Sequence, residues 1–189
     1  VLTKIAERVR PGSDGLLFHP YLAGERAPLW NPDVRGSFFG LTMSHKKEHM
    51  IRAALEGVIY NLYTVFLALT ECMDGPVARI QATGGFARSD VWRQMMSDIF
   101  ESEVVVPESY ESSSLGACIL GLYALGKIDS FEVVSEMIGS TYKHTPKEEA
   151  AKEYRQLMPI FINLSRVLKE DYSKIANYQR SLVHTTRSI

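Results

Sequence analysis

The stretch VARIQATGGFARSDVWRQMMSDIF, residues 77–100, constrains the fold of this chain more than any other, because its hydrophobic period changes once, at a pair of glycines. Before the glycines, Ala78, Ile80 and Ala82 alternate with Arg79, Gln81 and Thr83, the pattern of a half-buried strand over 77–83. After them, Trp92, Met95, Met96, Ile99 and Phe100 recur at helical spacing, with Ser89 as N-cap and Asp90 in the first turn, where the helix dipole favours a carboxylate. Gly84 and Gly85 carry no Cβ, so a planar or anionic group can lie against main-chain N–H groups beside the positive end of that helix. Such a turn suits a nucleotide. It equally suits a plain strand-to-helix connection that binds nothing.

Elements of both kinds alternate along the rest of the chain. Leu2, Ile5, Ala6 and Val9 set an opening helical pattern, Leu16 to Tyr21 reads as an apolar strand, and a long loop, LAGERAPLWNPDVRGSFFG, follows. Ser44 to about Cys72 predicts the longest helix, with Ile51, Ala54, Leu55, Val58, Ile59, Leu62, Phe66 and Leu69 on one broad face. Val104 to Val106 is a second strand, Pro107 to Ser114 a polar loop, and Leu115 to Leu125 a helix stopped by Gly126. Strand, helix, strand, helix predicts an α/β layer. From Asp129 onward the pattern reads as helical. Thr145, Pro146 and Glu148 form a capping box, Pro159 kinks or breaks the helix they start, and SLVHTTRSI, residues 181–189, is expected to be a disordered tail. All 189 residues otherwise read as one domain.

Composition excludes little beyond the extremes. Hydrophobic residues make up 46% and charged residues 23%, as in a globular protein, and a net charge of −1 gives no reason to expect nucleic acid or an anionic membrane as a partner. No uninterrupted apolar run reaches the roughly eighteen residues of a spanning helix. Cys72 and Cys118 lie in apolar helical runs without metal-binding spacing, so both read as reduced core residues, in keeping with a cytoplasmic setting. The opening VLTKIAERVRPG has no Met and starts in mid-helix, the pattern of a piece cut from something longer.

Candidate chemistry is sparse. Glu25, Arg26, Asp33 and Arg35 place two acids and two arginines in one loop, either a substrate cradle or an internally paired loop. His19, alone in an apolar run, reads as a core histidine bonded to backbone. Glu108, Tyr110 and Glu111 read as a solvated loop. The small residues Gly116, Ala117 and Gly121 permit close approach of another element to the 115–125 helix. No HExxH, GxSxG or Walker loop occurs, and Gly84-Gly85 lacks the GxGxxG pattern and distal acid of a dinucleotide site.

Four segments in order, PYLAGERAPLWNPDVRGSFFGL, HMIRAALEGVIYNL, TGGFARSDVWRQMMSDIF and VPESYESSSLGACILGLYALG, resemble the second half of the FGGY family of carbohydrate kinases. The resemblance runs from about Gly15 to Arg180. It implies an actin-like, ribonuclease H-like ATPase domain of α/β class with a helical carboxy-terminal segment, and a parent enzyme using ATP with Mg²⁺. By that resemblance Gly84 and Gly85 pass beside the nucleotide, Arg88 and Ser89 line its base and ribose, and the 115–125 helix is the interdomain connector. The family's catalytic aspartate, its phosphate-holding hairpin and most sugar contacts match nothing in this sequence, so no catalytic residue and no metal ligand is assigned here. The expected activity is transfer of the γ-phosphoryl group to the sugar acid gluconate by the whole enzyme. A pentulose is the alternative substrate. The expected partners are the missing amino-terminal kinase domain and a twin chain docking on the carboxy-terminal helices, and a non-catalytic assembly module is the reading from another class.

Overall fold

A computed structural model describes residues 2–186 apart from 74, 76, 78, 108–111 and 133–139. The chain forms two compact units, Val1–Pro76 with Glu148–Ile189, and Val77–Lys147.

The first unit is built on a long helix. Helix α1 (Leu2–Ala6) leads through a turn to strand β1 (Leu17–His19), which pairs antiparallel with β2 (Ser37–Phe39), Phe18 facing Phe38. Helix α2 (Lys47–Thr70) packs on both α1 and β1. Gly57 is what allows the second contact: a Cβ there would meet the Phe18 carbonyl oxygen at 2.0 Å, well inside van der Waals contact. Among the described residues α2 is the one helix long and apolar enough to cross a membrane, yet it carries the buried Arg52 and Glu56.

Those two residues organise the unit. Glu56 is 1% exposed and accepts four hydrogen bonds, from Arg52 Nε (2.6 Å), Ser13 Oγ (2.7 Å), the Tyr154 hydroxyl (2.9 Å) and the Gly12 N–H (3.0 Å). Arg52 also donates to the carbonyls of Val9 (2.8 Å) and Ala6 (3.2 Å). Burial disfavours its charge, but Glu56 and Tyr154 outweigh that and raise the guanidinium pKa. A buried charge pair is tolerable because both carboxylate oxygens and all three guanidinium nitrogens have hydrogen-bond partners. The loop it holds is conformationally demanding: Gly12, Ser13, Asp14 and Gly15 all have φ between 51° and 86°.

Helices α5 (Glu148–Val167) and α6 (Lys169–Thr186) complete the first unit. Of the kink or break expected at Pro159, the break does not occur: helix α5 runs on through it, because Tyr154, Met158 and Phe161 are buried on either side and that packing outweighs one lost hydrogen bond. The interruption falls instead at Leu168. Helix α6 reaches Thr186, so 181–186 is helical where a disordered tail was expected, and 187–189 lie outside the described residues.

The second unit is a three-stranded sheet, β3-β4-β5. Strand β3 (Arg79–Gln81) runs parallel to β4 (Glu103–Pro107), with helix α3 (Asp90–Phe100) as the crossover between them. Strand β5 (Ser140–His144) lies antiparallel on the other side of β4. The sequence places a helix where β5 stands; its signal is the short run Ser-Thr-Tyr-Lys-His, with two strand-favouring residues. Helix α4 (Ser112–Ala124) begins three residues earlier than expected. Helix α5 starts two residues after Pro146, and the Lys147 N–H ahead of it donates to Asp98 (2.8 Å). The readings made for Glu108, Tyr110 and Glu111 fall outside the described residues.

Both cysteines are exposed and free, a correction to the core placement expected of them. Cys72 lies beyond the last turn of α2. Cys118 lies on α4, whose apolar residues are spread around its circumference, leaving Leu120 and Tyr123 exposed as well. An all-round apolar helix offers no pattern from which a buried face can be read.

Candidate functional site

The Gly-Gly turn sits at the carboxyl end of β3 and feeds α3, the position where parallel α/β sheets bind ligands. Gly84 has φ 99° and ψ −176°, a conformation reserved for glycine. Gly85 has no such requirement. At both glycines a Cβ would meet nothing within 4 Å, so the backbone here borders open space. Residues Gly85–Arg88 form one short 3₁₀ turn, closed by bonds from the Ala87 N–H to Gly84 (3.1 Å) and from the Ser89 N–H to Phe86 (2.9 Å).

Ser89 is the N-cap read from the sequence: its Oγ accepts from the Trp92 N–H at 3.4 Å and its carbonyl from the Arg93 N–H at 3.0 Å. The hydroxyl proton of Ser89 remains a donor for a neighbour. Arg88 is exposed beside it. Thus the structure brings Gly84, Gly85, Arg88 and Ser89 together along one edge, at the positive end of an eleven-residue helix.

Sequence reasoning missed the residue that anchors this edge. Arg93, 3% exposed, donates to the Ala87 carbonyl (2.5 Å), to Asp90 Oδ1 (3.0 Å) and to His144 Nε2 (2.9 Å), and its guanidinium stacks over Tyr142 at 4.0 Å. A bond from Arg93 requires Nε2 of His144 to be unprotonated, leaving Nδ1 to donate to Gln94 Oε1 (3.2 Å). Burial lowers the His144 pKa, assisted by Arg93 and Lys147 and opposed by Asp90 and Asp98. A single buried arginine among the polar positions of a helix gives no periodic signal, which is why the pattern alone does not single it out.

In the first unit the GERAP loop is held mainly by its own charges. Glu25 Oε1 accepts from the N–H groups of Arg26 (2.9 Å) and Ala27 (3.2 Å), and Oε2 accepts from Asn61 of α2 (2.9 Å). Arg35 donates to the carbonyls of Pro32 and Val34, both at 2.9 Å, and to Gln179 at 2.6 Å. Asp33 pairs with Arg180. Only Arg26 departs from this scheme: its side chain is exposed, with no partner among the described residues. His19 is the core histidine expected, fully buried, with Nε2 at 3.0 Å from the Phe161 carbonyl.

No group of three His, Cys, Asp or Glu side chains among the described residues could hold a metal ion. Within reach of the turn among the described residues stand main-chain N–H donors, the Arg88 guanidinium and the Ser89 hydroxyl.

Known proteins resemble this chain in sequence and in fold. The profile described as "FGGY family of carbohydrate kinases, C-terminal domain" matches residues 2–125. A gluconokinase of Bacillus licheniformis is 90% identical over 182 residues, covering 96% of this chain and 36% of the relative. The chain thus spans about a third of that relative's length. Among solved structures, a gluconate kinase from Lactobacillus acidophilus superposes with a TM-score of 0.85 at 36% identity, over 92% of this chain and 35% of the other. The ligand-bound xylulose kinase from the same organism matches with the same score, identity and coverage. These neighbours have the actin-like ATPase fold, the α/β class expected for this chain. The chain belongs to the FGGY family of carbohydrate kinases and carries its C-terminal domain.

Proposed function

We propose that this chain is the ATP-binding part of a gluconokinase, which transfers the γ-phosphoryl group of ATP to the terminal hydroxyl of D-gluconate to give 6-phosphogluconate. The observation that carries the substrate is the 90% identity to a gluconokinase over nearly the whole chain. Fold similarity alone favours neither gluconate nor xylulose, since both kinases superpose equally well.

Gly84 and Gly85 admit the nucleotide against bare backbone, where open space meets no side chain. Arg88 and the Ser89 hydroxyl flank its base and ribose. ATP, when bound, supplies the phosphoryl group. Its Mg²⁺ would ride on the phosphates and needs only one or two further oxygen ligands from protein, and no residue of this chain is assigned to it. Phosphoryl transfer also needs a base to align the sugar hydroxyl, and no residue described here is placed for that. The remaining two-thirds of the relatives' length is where we place that base, the phosphate clamp and most sugar contacts. A cytoplasmic metabolic role and a homodimer through the exposed residues Ile175, Tyr178 and Leu182 of α6 belong to the same reading.

The test is substrate preference in the full-length enzyme. With ATP and Mg²⁺, kcat/KM for D-gluconate is expected to exceed that for D-xylulose by at least about a hundredfold. A preference for xylulose would assign the chain to a pentulose kinase instead.

A further inference from the structure

Two backbone hydrogen bonds lie within the nucleotide turn, from Ala87 to Gly84 and from Ser89 to Phe86. Both close within the turn and neither fixes its position in the unit. Arg93 does so from outside. One guanidinium nitrogen takes the Ala87 carbonyl, another takes Asp90 in the first turn of α3, and Nε takes His144 on β5, while Tyr142 of the same strand covers the guanidinium plane. Three donors in a rigid fork, spent on the turn, the helix start and the strand, fix their mutual positions in a way a lysine cannot.

Strand pairing adds the other half. Ala82, two residues before the glycines, donates its N–H to Val105 of β4 at 2.9 Å, so the turn enters from a strand fixed to the sheet. It leaves through a helix cap fixed by Ser89. The stretch between these points is the nucleotide edge, and Ala87, fully buried at its centre, is where Arg93 takes hold. Exposed Gly84, Gly85 and Arg88 lie on the solvent side of that same stretch.

We propose that Arg93 is the positioning residue of the nucleotide site: it touches no ligand, and through the Ala87 carbonyl it holds Gly84 to Ser89 in the shape that binds the adenosine moiety. The proposal rests on the reading of that turn as the nucleotide site. Removing the fork leaves the turn connected but free to shift, and a ligand that depends on several backbone groups at once loses affinity steeply with small displacements.

The experiment follows ADP binding to the ¹⁵N-labelled chain by NMR at nucleotide concentrations into the millimolar range, with the melting temperature of each protein measured alongside. Arg93→Met should weaken ADP by about tenfold or more, and Arg93→Lys, which keeps the charge and one donor, should recover part of that loss. Ile99→Val at the far end of α3, buried and remote from the turn in sequence, should lower the melting temperature yet leave ADP affinity unchanged. Should Arg93→Met fail to fold, Arg93→Lys against Ile99→Val decides the matter. Wild-type affinity in Arg93→Lys, while Gly85→Val abolishes binding, would overturn the positioning role and leave the nucleotide turn standing. Loss of affinity in Ile99→Val as large as in Arg93→Lys at equal loss of stability would also overturn it, since stability alone would then explain the effect. If ADP moves no signal of Gly84 to Ser89 in the wild type, the turn is not the nucleotide site and the proposal falls with that reading.

Discussion

The two adjacent glycines do different work. Gly84 sits at φ 99°, where an L side chain is strained, and Gly85 does not, although both face open space. Gly84→Ala should therefore destabilise the chain by about 1–2 kcal/mol, and Gly85→Ala by no more than a few tenths, as read by urea melts. Arg35 is a folding residue: its two carbonyl partners lie in its own loop, so Arg35→Ala should lower stability by about 1 kcal/mol, at the low end for charge-assisted bonds because the site is partly wet. An unchanged melting curve would contradict this. Glu56→Gln has the larger expected effect, about 3–5 kcal/mol, since it strands Arg52 as an uncompensated buried charge. At this scale the turn residues were legible, because cap and glycine chemistry are local. Arg93 and the Glu56 cluster were not, because the partners that decide them, His144 for Arg93 and Gly12, Ser13 and Tyr154 for Glu56, lie 43 to 98 residues away and only the fold joins them.

At the scale of elements, period and caps located α2, α3 and β4 to within a few residues, while β2 and β5 escaped. Each is a short strand, three and five residues long, whose pairing with a neighbour rather than its own pattern defines it. Helix α5 shows the opposite error, in which a strong local rule loses to packing. Its continuity through the exposed Pro159 yields a prediction: Pro159→Ala restores a main-chain donor without touching the buried face, and should stabilise the chain by about 1–3 kcal/mol in thermal or urea melts. A loss of stability would mean that the proline ring, and not the helix around it, is what the packing selects.

For the whole molecule, pH is the simplest global probe. Among the described residues each unit holds one histidine whose pKa burial lowers below 6.5, His19 in the first and His144 in the second. The unfolded chain binds those protons more readily, so stability is highest above about pH 6.5 and falls as pH drops from there toward the folded values. Burial keeps the His19 ring neutral against the opposing pull of the Phe161 carbonyl, and the Arg93 donor bond does the same for Nε2 of His144. The melting temperature should accordingly fall between pH 7 and pH 5, and His144→Gln should flatten that fall in part. The functional claim belongs to this scale too, since the chain spans about a third of its kinase relatives and the turn from Gly84 to Ser89 is proposed as their nucleotide edge. The most direct test is equilibrium titration of the chain with ATP and with adenosine, in the wild type and in Gly85→Val, a substitution that fills the open space over the turn without backbone strain at that position. The account predicts weak binding of both ligands, little dependence on Mg²⁺, and a loss of about tenfold or more in the variant; equal binding by the two proteins would contradict it.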